Sequence, residues 1–230
     1  MPVHNGKERF VNVKGIVFSF NRKSTKNIRL PQIGSLIKSN RATLAFVALL
    51  FAGLVFGAIY ARNAGSSFLK SIDFLFLTNL DARLKQGALG VFCACFASDF
   101  LFLLSVYLFG MTPWGIPFAA LTVVFKGFGT GLTAGYLSLT YSLSGVGFYL
   151  LVLLPGTFLF CIYLAKFSAA AFKCSKSFFI AAVNRKQEFY SPRADFLELS
   201  SGLLTALIAA FAASVLDCVL WTLFADTFKF

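Results

Sequence analysis

The chain has 230 residues, 58% of them hydrophobic and 13% charged, with a mean hydropathy of +0.78. Soluble domains are about 45–50% apolar and about 25% charged, and a core built from so short a chain cannot hide this much apolar surface. A soluble enzyme or soluble binding domain is therefore excluded, and the net charge of +12 is to be read against the apolar runs before nucleic acid is considered as a partner.

Residues 1–41 form a polar arm with nine Lys/Arg, the last being Arg41. The first apolar run, ATLAFVALLFAGLVFGAIYA, covers residues 42–61 without a charge. Twenty residues at about 1.5 Å each match a hydrocarbon core of about 30 Å. The run is too long for the apolar part of a secretory signal, and a long polar arm precedes it.

Residues 66–86 have a different pattern. Leu69, Ile72, Phe76 and Leu80 share one helical face, while Lys70, Asp73, Asp81 and Lys85 lie mostly opposite. This spacing predicts an amphipathic helix at the membrane surface or against the bundle. Four further apolar runs follow near residues 88–110, 116–140, 146–171 and 201–224. MTPWG and SLSG separate the second from the third and the third from the fourth, so both connections are tight hairpins. Pro192, followed by Asp195 and Glu198, marks a helix start. Pro155 predicts a kink in the fourth span, with Thr157 placed to hydrogen-bond a freed carbonyl.

The expected fold is all-α: a polytopic transmembrane helical bundle of five spans. Fourteen Lys/Arg fall in the arm and in the segment 173–198, against five on the other side, with Lys126 and Lys166 inside spans. The positive-inside bias then puts the N-terminus in the cytoplasm, the C-terminus outside and the amphipathic segment on the outer face. The excess charge faces anionic lipid headgroups, and no nucleic acid is required.

The third span contains KGFGTGLTAG, residues 126–135. A phosphate-cradling loop needs its lysine after the glycines, and a dinucleotide fingerprint needs GxGxxG between strand and helix. Neither pattern is met. Gly127, Gly131 and Gly135 recur every fourth residue instead, which predicts a helix-packing face. The competing expectation is a broken or re-entrant helix with exposed backbone.

Asp99, Lys126 and Asp217 lie within apolar runs. A charge at mid-bilayer costs about 2.5–3.5 kcal/mol on insertion scales, so these residues are candidate site residues. Asp99 and Lys126 lie at similar depth on antiparallel neighbours, which predicts an ion pair; a structural pin and a proton or ion relay both fit it. Asp217 is expected nearer the outer surface, neutral or partnered by a polar group. His4 is the sole histidine, so no HExxH motif and no Ser/His pair within the membrane exists, and a metal site, a cofactor or catalysis is not expected. The five cysteines, Cys93, Cys95, Cys161, Cys174 and Cys218, lie in or beside apolar runs without metal or redox spacing.

The segments LDARLKQGALGVFCACFASDF, FGMTPWGIPFAALTVVFKGFGTGLTAGYLSLTYSLSG and LLPGTFLFCIYLAKFSAAAF resemble stage II sporulation protein M and its relatives. The residues that carry the resemblance are Arg83, Gln86, Gly110, Lys126, Gly127, Phe128, Gly131, Tyr141, Gly145 and Pro155, over roughly residues 68–175. The resemblance implies a bacterial cell-membrane protein with five spans. It further implies a scaffold, not an enzyme, that holds two peptidoglycan-degrading partners, the stage II sporulation proteins D and P, during engulfment. Phe68, Leu69, Ile72, Phe76 and Arg83 on the outer amphipathic segment are the expected partner-binding surface, and the glycine face would pack helices within or between subunits. A small transporter, exporter component or channel using Asp99, Lys126 and Asp217 is the alternative.

Overall fold

In a computed structural model, residues 40–63, 87–183 and 192–224 are described. They form five helical elements: α1 (Arg41–Asn63), α2 (Ala88–Gly110), α3 (Gly115–Phe148), α4 (Leu154–Val183) and α5 (Pro192–Phe224). A π-helical turn, Tyr149–Leu153, joins α3 to α4. No strand occurs among the described residues. The basic arm, the amphipathic segment at 66–86 and the loop around residue 187 lie outside them.

Four helices are long and apolar enough to cross a membrane: α1, α2, the unbroken run Gly115–Val183 and the greater part of α5. The third of these has 69 residues, about 100 Å if straight, and it is not straight. Ser142 has φ 51° and ψ −130°. Beyond it Gly145 abuts the Leu137 carbonyl, and the Tyr149 hydroxyl reaches 3.5 Å from the Thr130 carbonyl, nineteen residues back. In a straight helix those two residues would be about 28 Å apart along the axis. The chain therefore doubles back at one residue, where the sequence predicts a loop at SLSG. Helical turns run up to Ser142 and resume beyond it.

Contacts between helices set their directions. At one end, Phe46 of α1 meets Phe172 of α4 edge-on, with centroids 6.3 Å apart. At the same end the Ser175 hydroxyl donates to the Thr112 carbonyl at 2.6 Å, and Tyr107 of α2 meets Ser200 of α5 at 3.2 Å. At the other end Cys218 of α5 lies 3.3 Å from the Ala88 carbonyl, and Phe148 packs edge-on against Trp221. Thus α1, α3 and α5 run one way and α2 and α4 the other.

Helices extend past their apolar runs. Helix α3 reaches Phe148 rather than ending near 140, α4 continues to Val183 rather than ending near 171, and α5 begins at Pro192, the helix start that the sequence marks, well before its apolar run near 201. Hydropathy marks only the apolar part of a helix. The extra turns are held by other contacts: Cys174 and Ser175 are buried near the start of α5 and the α2–α3 turn, and Trp114 packs edge-on against Phe179.

The interior is built of Leu103, Val106, Val123, Phe160 and Leu164, all nearly inaccessible. The outside is equally apolar: Phe51, Leu101, Phe158, Leu204 and Ile208 are all more than half exposed. Apolar residues inside and out explain the composition, and they leave shape complementarity, rather than a hydrophobic difference, to hold the helices together.

Candidate functional site

The closest helix contact is between α1 and α3. A side chain at Gly127 would strike the Leu50 carbonyl and one at Gly131 the Leu54 carbonyl, while Gly135 faces Ala61. The relation is reciprocal: Gly53 and Gly57 of α1 face the carbonyls of Val124 and Phe128. Each glycine lets the partner backbone occupy the place of a Cβ. The helix is unbroken from Lys126 to Gly135, which overturns the expectation of a broken or re-entrant segment. Regular hydrogen bonding survives because the glycines sit on one face and meet a helix. Thr130 and Thr133 return their hydroxyls to the carbonyls of Gly127 and Gly129. Gly53 and Gly57 were missed in the sequence reading, although their GxxxG spacing is the same signal.

Immediately before this face, Lys126 leaves α3 toward α2. Its Nζ donates to Asp99 Oδ1 at 2.8 Å. Only 13% of the lysine side chain and 10% of the aspartate side chain remain accessible. The rings of Phe102 and Phe160 lie 4.8 Å from Nζ, so cation–π attraction adds to the pair where water is scarce. Three helices therefore enclose one cation: α2 supplies the carboxylate and one ring, α3 the lysine, and α4 the second ring. A mid-span charge is costly alone, and the enclosure makes the pair specific to this helix arrangement.

Asp217 is placed differently. It is buried, with 8% accessibility, and its carboxylate lies where a side chain at Gly156 would be. Gly156 follows Pro155 and the π-helical turn. Pro155 has no N–H to give to the Leu151 carbonyl one turn back, and the π turn absorbs the misfit. The Thr157 hydroxyl lies 2.8 Å from the Leu153 carbonyl and 3.0 Å from that of Leu154, not at the carbonyl that Pro155 frees. Sequence reasoning singled out Pro155 and Asp217 separately, and only the packing of α4 on α5 joins them.

The remaining expected site residues, Phe68, Leu69, Ile72, Phe76 and Arg83, lie outside the described residues. Among the described residues no three His, Cys, Asp or Glu side chains gather as metal ligands.

No curated protein and no solved structure matches the chain. The family described as stage II sporulation protein M matches residues 46–215, a span that runs from α1 through most of α5 and includes the glycine interface, the Lys126–Asp99 pair and the reversal at Ser142. The match covers well over half of the chain, and this membrane protein belongs to the stage II sporulation protein M family.

Proposed function

We propose that this chain is a non-enzymatic scaffold of the bacterial cell membrane that recruits or anchors peptidoglycan-degrading partners, such as stage II sporulation proteins D and P in an engulfing cell. The observation that carries this reading is the family match over residues 46–215. The enclosed geometry supports it: Lys126 and Asp99 are spent on one another between apolar rings, as a rigid platform requires. In this reading the chain crosses the membrane five times, with the arm and the α2–α3 turn in the cytoplasm and the Ser142 reversal outside. That orientation follows from the fourteen-to-five partition of Lys/Arg. The segment bearing Phe68, Leu69, Ile72, Phe76 and Arg83 would then face the wall and receive the partners. Affinity purification from detergent-solubilised membranes tests this. Co-purification of a peptidoglycan hydrolase, lost on deletion of residues 68–85, is the expected result. Absence of any hydrolase together with no effect of the deletion would overturn it.

A second reading rests on three of the ionisable residues within apolar helices, Asp99, Lys126 and Asp217: a small transporter, exporter component or channel. Flux into liposomes that is abolished by Asp99→Asn would favour it. The rings of Phe102 and Phe160 over Lys126 favour the platform, because they exclude the water that a conducting path needs.

A further inference from the structure

A groove of about 320 Å³ opens on the outer surface at the Ser142 end of the bundle. Its floor is small, with Ala58 of α1 and Ala134 and Gly135 of α3. These residues are small because α1 and α3 touch there, backbone against backbone. Its walls are apolar, with Leu139, Val146 and Leu150 each more than a third exposed. At its mouth stands Arg62, exposed in the last turn of α1.

The depth of these groups is set by the helix. Leu50 abuts Gly127, next to the ion pair. Arg62 lies twelve residues further along α1, about 18 Å at 1.5 Å per residue. Half of a hydrocarbon core of about 30 Å is 15 Å. The guanidinium is thus at headgroup level and the apolar groove at acyl-chain level. The described acidic residues are Asp99, Asp195, Glu198 and Asp217, and Arg62 forms an ion pair with none of them. Ser138, also at the mouth, gives its proton to the Gly135 carbonyl at 2.8 Å, which leaves its oxygen as an acceptor for a headgroup hydroxyl.

From this arrangement we infer that the groove between α1, α3 and the π-helical turn holds one anionic phospholipid of the adjacent leaflet, its phosphate on Arg62 and an acyl chain along Leu139, Val146 and Leu150. Arginine suits a phosphate diester because its planar fork donates two parallel hydrogen bonds. A zwitterionic headgroup carries its own cation, which competes with Arg62. The occupant therefore bears net negative charge. A lipid here would fill the space beside the glycine contact and tie the end of α1 to the reversal at Ser142.

Native mass spectrometry of the full chain in detergent, titrated with phosphatidylglycerol or phosphatidylcholine, tests the proposal. One phosphatidylglycerol is retained at collision energies that strip phosphatidylcholine. Arg62→Gln weakens retention about tenfold, Arg62→Lys weakens it less, and Val146→Trp, which fills the groove from an exposed position, abolishes it. Equal retention of the two lipids with no effect of Arg62→Gln overturns the proposal. Competition by inorganic phosphate would assign the site to a free anion and also overturn it. So would a dimer peak that Val146→Trp dissociates, because a second copy would then occupy the groove.

Discussion

The carboxylate of Asp217 on α5 occupies the space that a side chain at Gly156 of α4 would need. A charged-type residue within an apolar helix is thereby matched to the smallest residue on its neighbour, at the first turn after the π-helical segment. Gly156→Ala forces the two apart and should destabilise the protein by about 1–3 kcal/mol, the usual cost of overpacking. Asp217→Ala in the Gly156→Ala background removes the collision. Thermal unfolding in detergent should show the double variant more stable than Gly156→Ala alone; a double variant that is worse would show that the pocket has another determinant.

Lys126 and Asp99 should behave as a unit. Removing one partner of a buried pair leaves the other charge uncompensated, at about 3–5 kcal/mol. Lys126→Met alone is expected to unfold at markedly lower temperature, and Lys126→Met with Asp99→Asn to recover most of the loss. Expression level and melting temperature in detergent read this directly. A double variant no better tolerated than Lys126→Met would separate the two residues energetically despite their 2.8 Å approach.

The glycines are not equivalent. At Gly131 a Cβ meets the Leu54 backbone, whereas at Gly202 in α5 it meets only the edge of Phe167 at 3.5 Å. Gly131→Ala should therefore destabilise by about 1–3 kcal/mol, since backbone cannot step aside. Gly202→Ala should be neutral or stabilise by up to about 1 kcal/mol through helix propensity. Parallel melting curves of the two variants check the contrast.

Ser142 carries a positive φ of 51° with ψ −130°, a conformation glycine adopts at no steric cost and other residues do not. Ser142→Gly should raise stability by about 1 kcal/mol, and Ser142→Val should lower it by at least as much. The opposite order, measured in the same detergent, would mean that Ser142 contributes an interaction that outweighs its backbone strain.

Topology is open to labelling. Trp114 in the α2–α3 turn is 75% exposed and Leu143 at the reversal is 88% exposed. In a background without the five native cysteines, Leu143→Cys should react with a membrane-impermeant maleimide in intact cells, and Trp114→Cys only after permeabilisation. Labelling of both from the same side would overturn the five-span orientation.

Much of the architecture was legible in the chain itself because lipid imposes a simple rule. A backbone without water must bond within its own helix, so the apolar runs at 42–61 and 88–110 marked α1 and α2 almost to the residue. The ionisable residues stood out for the same reason, since an apolar run makes each one conspicuous. The partnership of Lys126 with Asp99 followed from equal depth in antiparallel neighbours. Where hydropathy stops being informative, so did the reading of α4: its end extends into polar sequence, held by Ser175, Cys174 and Trp114 against neighbouring elements, whereas the start of α5 was marked by Pro192 and its acidic first turn.

Composition and spacing by themselves determined that this chain is an all-helical membrane protein, where its apolar helices lie, and that its third apolar run carries a face of small residues. Tertiary structure alone decided what that face meets, namely the carbonyls of Leu50 and Leu54 on α1, and that the chain reverses at Ser142. It alone set Asp217 against Gly156. The physical reason is that hydropathy and spacing are properties of one segment in its solvent. Which backbones approach closely enough to exclude a Cβ is a property of two segments, and no single helix encodes its partner.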